Sequence, residues 1–252
     1  MALTDFETAV AAARAGADVI RARYGTALTH HAKSSTDFAT DVDLEAEDAI
    51  VAVLRHERPN DAVLGEERGA AGPRGSQRTW LVDPLCGTLN FAVATAPFSV
   101  NVALRSGDSI TAAAVIDPLS GDVFSTAGPH QPSSRSRIVD VNVDPPFPNG
   151  DRFRAAALLA SDRFLGEFRP RVVSSTLALA WVAAGHRAGY VTDGHLRDSV
   201  HFSAGIAICV AAGCVLTDLA GGPLHLGSGG LIAAADEATH ALLLAMVEAE
   251  FG

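Results

Sequence analysis

Residues 80–92 read WLVDPLCGTLNFA, a run that joins a strand to the beginning of a helix. Apolar residues with high β propensity lead into Asp83, and Gly87 and Thr88 open the next element. A carboxylate at a strand end followed by such a turn is typical of a site for a metal ion and a phosphate group, because helix N-terminal N–H groups bind phosphate oxygens and glycine lets a ligand approach. A second carboxylate is expected at position 86, where this chain has Cys86.

Length, composition and charge restrict the class of protein. The 252 residues suffice for one large domain or two packed halves. Hydrophobic residues make up 48% of the chain, no apolar run is long enough to span a bilayer, and the N-terminus lacks the basic segment of a secretory signal. We therefore expect a soluble, cytoplasmic protein. The formal net charge is −10 and basic residues do not cluster, so we expect neither nucleic acid nor a membrane as a partner.

The three cysteines form neither a disulfide framework nor a C-x-x-C pair, so we expect them to be reduced. Cys209 and Cys214 flank the end of an apolar helix and are expected to lie in the core. Cys86 is not expected to act as a phosphatase nucleophile, because such enzymes place an arginine six residues after the cysteine, where this chain has Ala92.

Two helices and a set of strands are predicted for the first half of the chain. Residues 4–23 and 43–58 carry apolar residues at helical spacing, and Thr4 with Glu7 forms a capping box before the first helix. Strands are predicted to follow, two of them joined by a turn at residues 117–122. This order indicates an antiparallel sheet covered by the two helices.

The second half alternates between strands and helices, which is typical of an α/β layer. A proline-rich stretch at residues 128–152 indicates a domain connection, so we predict an N-terminal α+β half at residues 1–138 and a C-terminal α/β half at residues 139–252. The strands predicted in the second half cover residues 155–160, 189–192, 214–218 and 231–234, and the helices cover residues 175–186, 202–212 and 236–250.

Acidic residues fall at the ends of several predicted elements. Asp43 opens a helix, Glu66 and Glu67 end one strand, and Asp83 ends the next. Carboxylates at the ends of adjacent strands converge and repel one another unless a hard cation such as Mg²⁺ neutralises them. For any single one of these residues, a solvated turn position is the alternative interpretation.

An ordered series of motifs resembles the inositol monophosphatase family of metal-dependent phosphatases. VDPLCGTLNF at residues 82–91 is similar to the family signature Asp-Pro-hydrophobic-Asp-Gly-Thr, followed closely by Asn-Phe. KSSTDFATDVDLEAE at residues 33–47 is similar to the family's N-terminal lysine and acidic loop, GEE at 65–67 to its first metal motif, and residues 201–222 to its last motif. The resemblance implies an αβαβα five-layered sandwich of the inositol monophosphatase and sugar phosphatase type. It also implies a homodimer that hydrolyses small phosphate monoesters with Mg²⁺ and is often inhibited by lithium.

The resemblance implies roles for individual residues as well. Glu66, Asp83 and the carbonyl of Leu85 would hold the first metal ion. Asp43 and Thr88 would orient the attacking water, so the expected catalytic residues are Asp43, Glu66 and Thr88. The residues expected to bind phosphate or substrate are Asp83, Gly87, Thr88, Ser174 and Thr192.

Three positions depart from the family pattern, and all of them fall in the implied site. Cys86 and His201 stand where the family has aspartates that bind the second metal ion, and Thr192 stands where a glutamate usually contacts substrate hydroxyls. Sulfur and imidazole are themselves metal ligands, and they favour Zn²⁺ or another softer transition ion such as Mn²⁺ over Mg²⁺. Both residues also lie near predicted helix N-termini, which leads us to expect a lowered thiol pKa and a neutral imidazole.

Several interpretations of these departures remain open. In one, the second metal site is adapted to a softer ion, and in another, catalysis continues with one metal ion or with Mg²⁺ in an altered site. In the third interpretation the protein is catalytically impaired and binds a phosphorylated ligand or a partner. The absence of the glutamate at Thr192 removes an acceptor for polyol hydroxyls, so the expected substrate is a small phosphorylated metabolite of the sugar, cyclitol, amino-alcohol or nucleoside class.

Overall fold

The computed structural model describes residues 2–33, 38–73, 75–144, 154–194, 196, 199–224 and 229–250. The chain groups into two compact units, each with its own sheet and its own hydrophobic core. The first unit consists of Met1–Gly128, Ser175–Leu177 and Val200–Ala207, and the second of Pro129–Ser174, Ala178–Ser199 and Ile208–Gly252.

The described part of the first unit contains eight strands. They are β1 (His30–Ala32), β2 (Phe38–Thr40), β3 (Ala62–Gly65), β4 (Gly69–Ala71), β5 (Arg78–Cys86), β6 (Ser99–Ser106), β7 (Ser109–Ile116) and β8 (Val123–Ser125). β1 pairs with β2, and the other six form one sheet in the order β4-β3-β5-β6-β7-β8. β3 and β5 run parallel, whereas the remaining neighbours are antiparallel, so the predicted sheet is mainly but not entirely antiparallel.

Two long helices, α1 (Asp5–Arg23) and α2 (Asp41–Glu57), pack on this sheet and supply much of its core. The capping box of Thr4 and Glu7 is present, which confirms the predicted beginning of α1. Gly16 of α1 permits a close approach to α2, because a Cβ atom at this position would lie 2.7 Å from Cδ1 of Ile50. A short third helix, α3 (Thr88–Ala92), follows β5 directly.

The second unit has a five-stranded sheet with helices from several parts of the chain. Its strands are β9 (Ile138–Val141), β10 (Arg169–Val172), β11 (Gly189–Thr192), β12 (Val215–Thr217) and β13 (Leu231–Ala234), in the order β10-β9-β11-β13-β12. The helices that follow α3 along the chain are α4 (Asp162–Glu167), α5 (Leu177–Ala183), α6 (Ser203–Ala211) and α7 (Glu237–Glu250). α5 and α6 begin in the short segments that belong to the first unit.

Most predicted elements of the second half are confirmed, and one is wrong. The strands at residues 189–192 and 231–234 have the predicted bounds, but Ala155–Ala160 is a 3₁₀ helix rather than a strand. A short apolar run does not distinguish the two by its pattern, and here the buried Ala155 and Leu158 are one 3₁₀ turn apart. The proline-rich stretch also contains strand β9, which the sequence reasoning missed. The linear division after residue 138 stays a prediction.

The cysteine thiols are free, and Cys209 is buried as predicted, with its Sγ donating to the carbonyl of Leu179 at 3.1 Å. Cys214 is only half-buried. Within the described ranges, no helix combines the length and the apolar character that crossing a membrane requires.

Candidate metal centre

Strand β5 ends in a bulge that turns two side chains toward the same side. Asp83 faces Asn101 of β6 and Cys86 faces Ser99, so three steps along β5 correspond to two along β6. Side chains three residues apart on a regular strand point to opposite faces, whereas one extra residue brings them back to the same face. Asp83 and Cys86 therefore share the face of Asn101 and Ser99.

His201 completes a cluster with Asp83 and Cys86. The Nδ1 atom of His201 lies 2.8 Å from Oδ2 of Asp83, and one ligand atom from each of the three residues lies within 4.8 Å of the other two. The side chain of Asp83 is fully buried, whereas that of His201 is 46% exposed. A carboxylate, a thiol and an imidazole at this proximity form a candidate metal site.

Attraction between carboxylate and imidazole dominates the electrostatics of the cluster. Burial by itself would raise the pKa of Asp83, but the charge of His201 and the hydrogen bonds from His201, Glu66 and Cys86 together hold this pKa below its usual value. Burial would likewise lower the pKa of His201, but Asp83 raises it to about 12. Burial raises the pKa of the Cys86 thiol, and the negative charge of Asp83 adds to this effect. The expectations of a lowered thiol pKa and a neutral imidazole are therefore wrong, because burial and the charge of Asp83 raise the pKa of Cys86 and the same carboxylate raises that of His201.

Two glutamates after strand β3 extend the acidic region. Oε2 of Glu66 lies 3.9 Å from Nδ1 of His201, and the ammonium group of Lys33 lies 2.7 Å from Glu66 and 2.6 Å from Glu67. Burial, together with the nearby charge of Asp83, raises the pKa of Glu66 to about 8. Several acidic side chains thus lie close together, and Lys33 and His201 balance part of their negative charge. A divalent cation binds in the same kind of acidic environment.

Glu47 of helix α2 fixes the turn that carries the two glutamates. Its buried carboxylate accepts the backbone N–H of Glu67 at 2.8 Å and that of Arg68 at 2.9 Å. Gly65 makes this possible, because a Cβ atom at position 65 would lie 2.2 Å from Oε1 of Glu47. The position of Glu66 therefore depends on a buried carboxylate one element away.

Thr88 and Asp43 form the third part of the site. The Thr88 hydroxyl lies 3.0 Å from Oδ1 of Asp43 and 3.1 Å from the carbonyl oxygen of Leu85, and it can donate to either. Oδ2 of Asp43 accepts the backbone N–H of Thr40 at 2.7 Å, which closes a capping box at the start of α2. Burial raises the pKa of Asp43 despite these hydrogen bonds. Gly87 has a left-handed conformation, with φ of 108°, where side chains are disfavoured.

Asn101 and Thr176 connect the three members of the cluster. The side-chain amide of Asn101 donates to Oδ2 of Asp83 at 3.2 Å and to the hydroxyl of Thr176 at 3.1 Å. The backbone N–H of Thr176 lies 3.4 Å from Sγ of Cys86, and its hydroxyl donates to the carbonyl oxygen of His201. Both residues are buried, so the cluster is held by a polar frame inside the first unit.

The structure brings most of the predicted site residues into the first unit. The predicted site residues in this unit are Asp43, Glu66, Asp83, Leu85, Cys86, Gly87, Thr88 and His201. Ser174 and Thr192 belong to the second unit, where Ser174 is half-buried and the hydroxyl of Thr192 accepts the N–H of Gly194 at 3.1 Å. Residues 34–37 of the predicted acidic loop lie outside the described residues. The roles assigned to all these residues stay predictions.

Three supporting residues were missed by sequence reasoning. Asn101 is a polar residue inside the apolar strand SVNVALRS, and Thr176 directly precedes the apolar run LALAWVA. A polar residue in such surroundings indicates a buried polar side chain, so the sequence could have identified both residues. Glu47 carried no such signal, because it lies among other acidic residues of an amphipathic helix.

Comparisons with known proteins agree with this arrangement. A family model described as the inositol monophosphatase family matches residues 3–250. The inositol-1-monophosphatase of Mesorhizobium japonicum is 31% identical over 226 residues, covering 85% of this chain and 84% of the relative. The protein called Nus factor SuhB of Vibrio cholerae is 30% identical over 224 residues, covering 84% of this chain and 83% of the relative.

Solved structures show the same fold. The extragenic suppressor protein suhB of Bartonella henselae superposes with a TM-score of 0.83 at 25% identity, covering 96% of this chain and 97% of the other. An inositol monophosphatase of Thermotoga maritima gives a TM-score of 0.79 at 19% identity, over 97% and 98% of the two chains. The predicted fold class is thereby confirmed. With a family match over nearly the whole chain and relatives at about 30% identity, the chain belongs to the inositol monophosphatase family.

Proposed function

We propose that this protein is a metal-dependent phosphatase that hydrolyses a small phosphate monoester. The observation that carries the proposal is the convergence of Glu66 and Asp83 with the Thr88–Asp43 pair in one compact unit. Several carboxylates so close together suit a divalent cation. Mg²⁺ prefers oxygen ligands, and here Glu66, Asp83 and the carbonyl oxygen of Leu85 would supply them. Such an ion, when bound, supplies polarisation of the ester oxygens and acidifies a water molecule.

The chain itself would orient and deprotonate the attacking water. Thr88 has a single hydroxyl proton and two acceptors within reach, so its oxygen is free to accept a hydrogen bond from water. Asp43 is held by Thr40 and has a raised pKa, which suits a carboxylate that takes up a proton. The backbone N–H groups of Gly87 and Thr88 would receive phosphate oxygens, as the family resemblance implies.

The substrate would be a sugar, cyclitol, amino-alcohol or nucleoside phosphate. Thr192 offers a hydroxyl instead of a carboxylate, which weakens recognition of a polyol with many hydroxyl groups. Ser174 is proposed as a further substrate contact. A homodimer located in the cytoplasm completes the proposal, on the basis of the family resemblance.

The test is phosphate release from a panel of such esters, assayed with Mg²⁺, Mn²⁺ and Zn²⁺ separately. Asp83→Asn is expected to reduce turnover by at least a hundredfold, because it removes charge from the metal site. Asp48→Asn is the matched control, since Asp48 is exposed on helix α2 and pairs with Arg68. Absence of turnover on every ester class with every ion would contradict the proposal.

A second candidate function is favoured by the names of some relatives. Several are called Nus factor SuhB, a name that points to transcription rather than to ester hydrolysis. This does not agree with the expectation that nucleic acid is not a partner, which rested on the net charge and on the scattered basic residues. In this alternative the chain binds a phosphorylated ligand or a partner without turnover. Ligand binding would then survive Asp43→Ala, and no variant or ion would give phosphate release.

A further inference from the structure

We propose that Asp83, Cys86 and His201 bind a thiophilic divalent transition ion of the Zn²⁺ class, with Asn101 and Thr176 as positioning residues. The proposal deepens the proposed function, on which it rests for the catalytic use of the ion. The ion binding itself is a separate property that can be measured without any substrate.

The donor atoms carry the first part of the argument. Oxygen, sulfur and nitrogen donors from three residues form the three-ligand pattern of sites that keep a fourth position for water or substrate. Ligand atoms around a tetrahedral zinc ion are about 3.3–3.7 Å apart, given bonds of about 2.0–2.3 Å. The three donors already lie within 4.8 Å of one another, so only small side-chain movements are needed. Binding releases the protons of the Cys86 thiol and the His201 imidazolium to solvent, and the charge of the ion takes the place of these protons beside Asp83. Magnesium prefers oxygen ligands in octahedral geometry and gains little from the other two donors.

The frame around the sulfur carries the second part. A hydroxyl group has one proton, and that of Thr176 goes to the carbonyl oxygen of His201. Its oxygen accepts from Asn101, and its backbone N–H points at Sγ of Cys86 from 3.4 Å. Thr176 thus fixes the backbone of one proposed ligand and the sulfur of another. Hydrogen bonds of this kind orient the ligands of metal sites and tune them.

Ordinary core packing does not account for this cluster. Cys86 does not belong to the hydrophobic core of the first unit. The Sγ atom of Cys86 lies 3.3 Å from the hydroxyl oxygen of Thr176 and 3.4 Å from its backbone nitrogen, so the sulfur faces polar partners. The β5 bulge also directs Cys86 toward Asp83 and away from the opposite face of the strand.

Cobalt binding tests the proposal directly, because Co²⁺ occupies such sites and a coordinated thiolate gives an intense near-ultraviolet charge-transfer absorption. The metal-free full chain is titrated with Co²⁺, and the bound ion is then displaced with Zn²⁺ in the presence of excess Mg²⁺. We expect a thiolate band with one Co²⁺ per chain and displacement by Zn²⁺ but not by Mg²⁺. Cys86→Ser is expected to abolish the band, while Cys214→Ser, a half-buried cysteine of the second unit, retains it.

The positioning role has its own readout. Thr176→Val is expected to weaken Zn²⁺ binding about 10–100-fold and to shift the cobalt band, whereas Thr176→Ser, which keeps the hydroxyl, restores both. Circular dichroism identifies variants that fail to fold. If Cys86→Ser does not fold, Cys86→Asp replaces it and must also lack the thiolate band.

Absence of the band in the wild-type protein, or an unchanged band in a folded Cys86 variant, would overturn the proposal. The same holds if Mg²⁺ displaces the bound Co²⁺. Phosphate release with Mg²⁺ but no cobalt–thiolate band would reject this inference and leave the proposed function in place. Cobalt and zinc binding without turnover on any ester would reject the proposed function and leave this inference in place.

Discussion

The two sides of the candidate metal centre belong to the same compact unit but offer different donor atoms. On one side, Glu66 and Glu67 present only oxygen atoms, and Glu47 fixes their backbone. On the other side, Cys86 and His201 present sulfur and nitrogen, and Thr176 contacts both residues. The altered side, Cys86 and His201, therefore has hydrogen-bonding support comparable to that of the oxygen side, Glu66 and Glu67. A site that had merely lost its function would need no such support, so the comparison favours a change of donor chemistry over decay.

Giving both sides of the centre carboxylate ligands is expected to have the largest effect, a change in metal preference. The double substitution Cys86→Asp/His201→Asp converts the altered side to carboxylates, which prefer hard cations. We expect the ratio of Zn²⁺ to Mg²⁺ affinity to fall by more than about a hundredfold, as measured by competition titration and metal analysis. Cys214→Ser is the control for a general effect of cysteine removal. An unchanged ratio would mean that the two donor types do not distinguish the two sides.

Removing the support of the oxygen side is expected to have the next largest effect. Glu47→Ala removes the charged acceptor of two backbone N–H groups and is expected to lower the free energy of unfolding by about 2–4 kcal/mol. Phosphate release should fall at least tenfold, because Glu66 loses its fixed turn. Urea unfolding and the ester assay measure the two effects. Asp48→Ala, at an exposed site of the same helix, should change neither by much.

A bulkier residue next to the Glu47 carboxylate is expected to reduce stability by a smaller amount. In Gly65→Ala the new methyl group would lie 2.2 Å from Oε1 of Glu47, so the carboxylate must move. We expect a loss of about 1–3 kcal/mol in the free energy of unfolding. Gly166→Ala is the matched control, because a Cβ atom there meets nothing within 4 Å and its helical position favours alanine. Equal stability of the two variants would show that Glu47 is not held in place as described.

The smallest predicted effect concerns the altered side and pH. Asp83 raises the pKa of His201 to about 12, whereas an unfolded histidine titrates near 6.5. The stabilisation by the imidazolium is therefore fully present below about pH 6.5 and declines as the pH rises toward 12. The thermal midpoint of the chelator-treated wild type should exceed that of His201→Gln most at pH 6, and this difference should narrow by pH 9. Partial exposure of His201 keeps the change modest.

His56→Gln provides the comparison for that experiment, since the side chain of His56 is 85% exposed on helix α2. The groups that raise the pKa of His201 include Asp83, Cys86 and Glu66, and Asp83 has the largest effect, so Asp83→Asn should remove most of the pH dependence. A difference between wild type and His201→Gln that grows from pH 6 to pH 9 would contradict the assigned charge of the imidazole.

The sequence predicted the strand–turn–helix at residues 80–92 and both long helices, because periodicity and capping signals are local. It also singled out Cys86 and His201, whose residue types differ from the family pattern. It could not reveal the β5 bulge, because the register with β6 depends on a partner strand. The predicted protonation states of Cys86 and His201 were wrong for a related reason. They depend on contact with Asp83, and for His201 this contact joins residues 118 apart in the chain.

The bulge at the end of β5 has a consequence for how such a site can change during evolution. The extra residue fixes the direction of positions 83 and 86 through the backbone, whatever side chains stand there. A single substitution at position 86 can therefore exchange oxygen for sulfur next to the same carboxylate without a new loop or a new strand register. Metal preference then becomes a matter of point mutation on a constant scaffold.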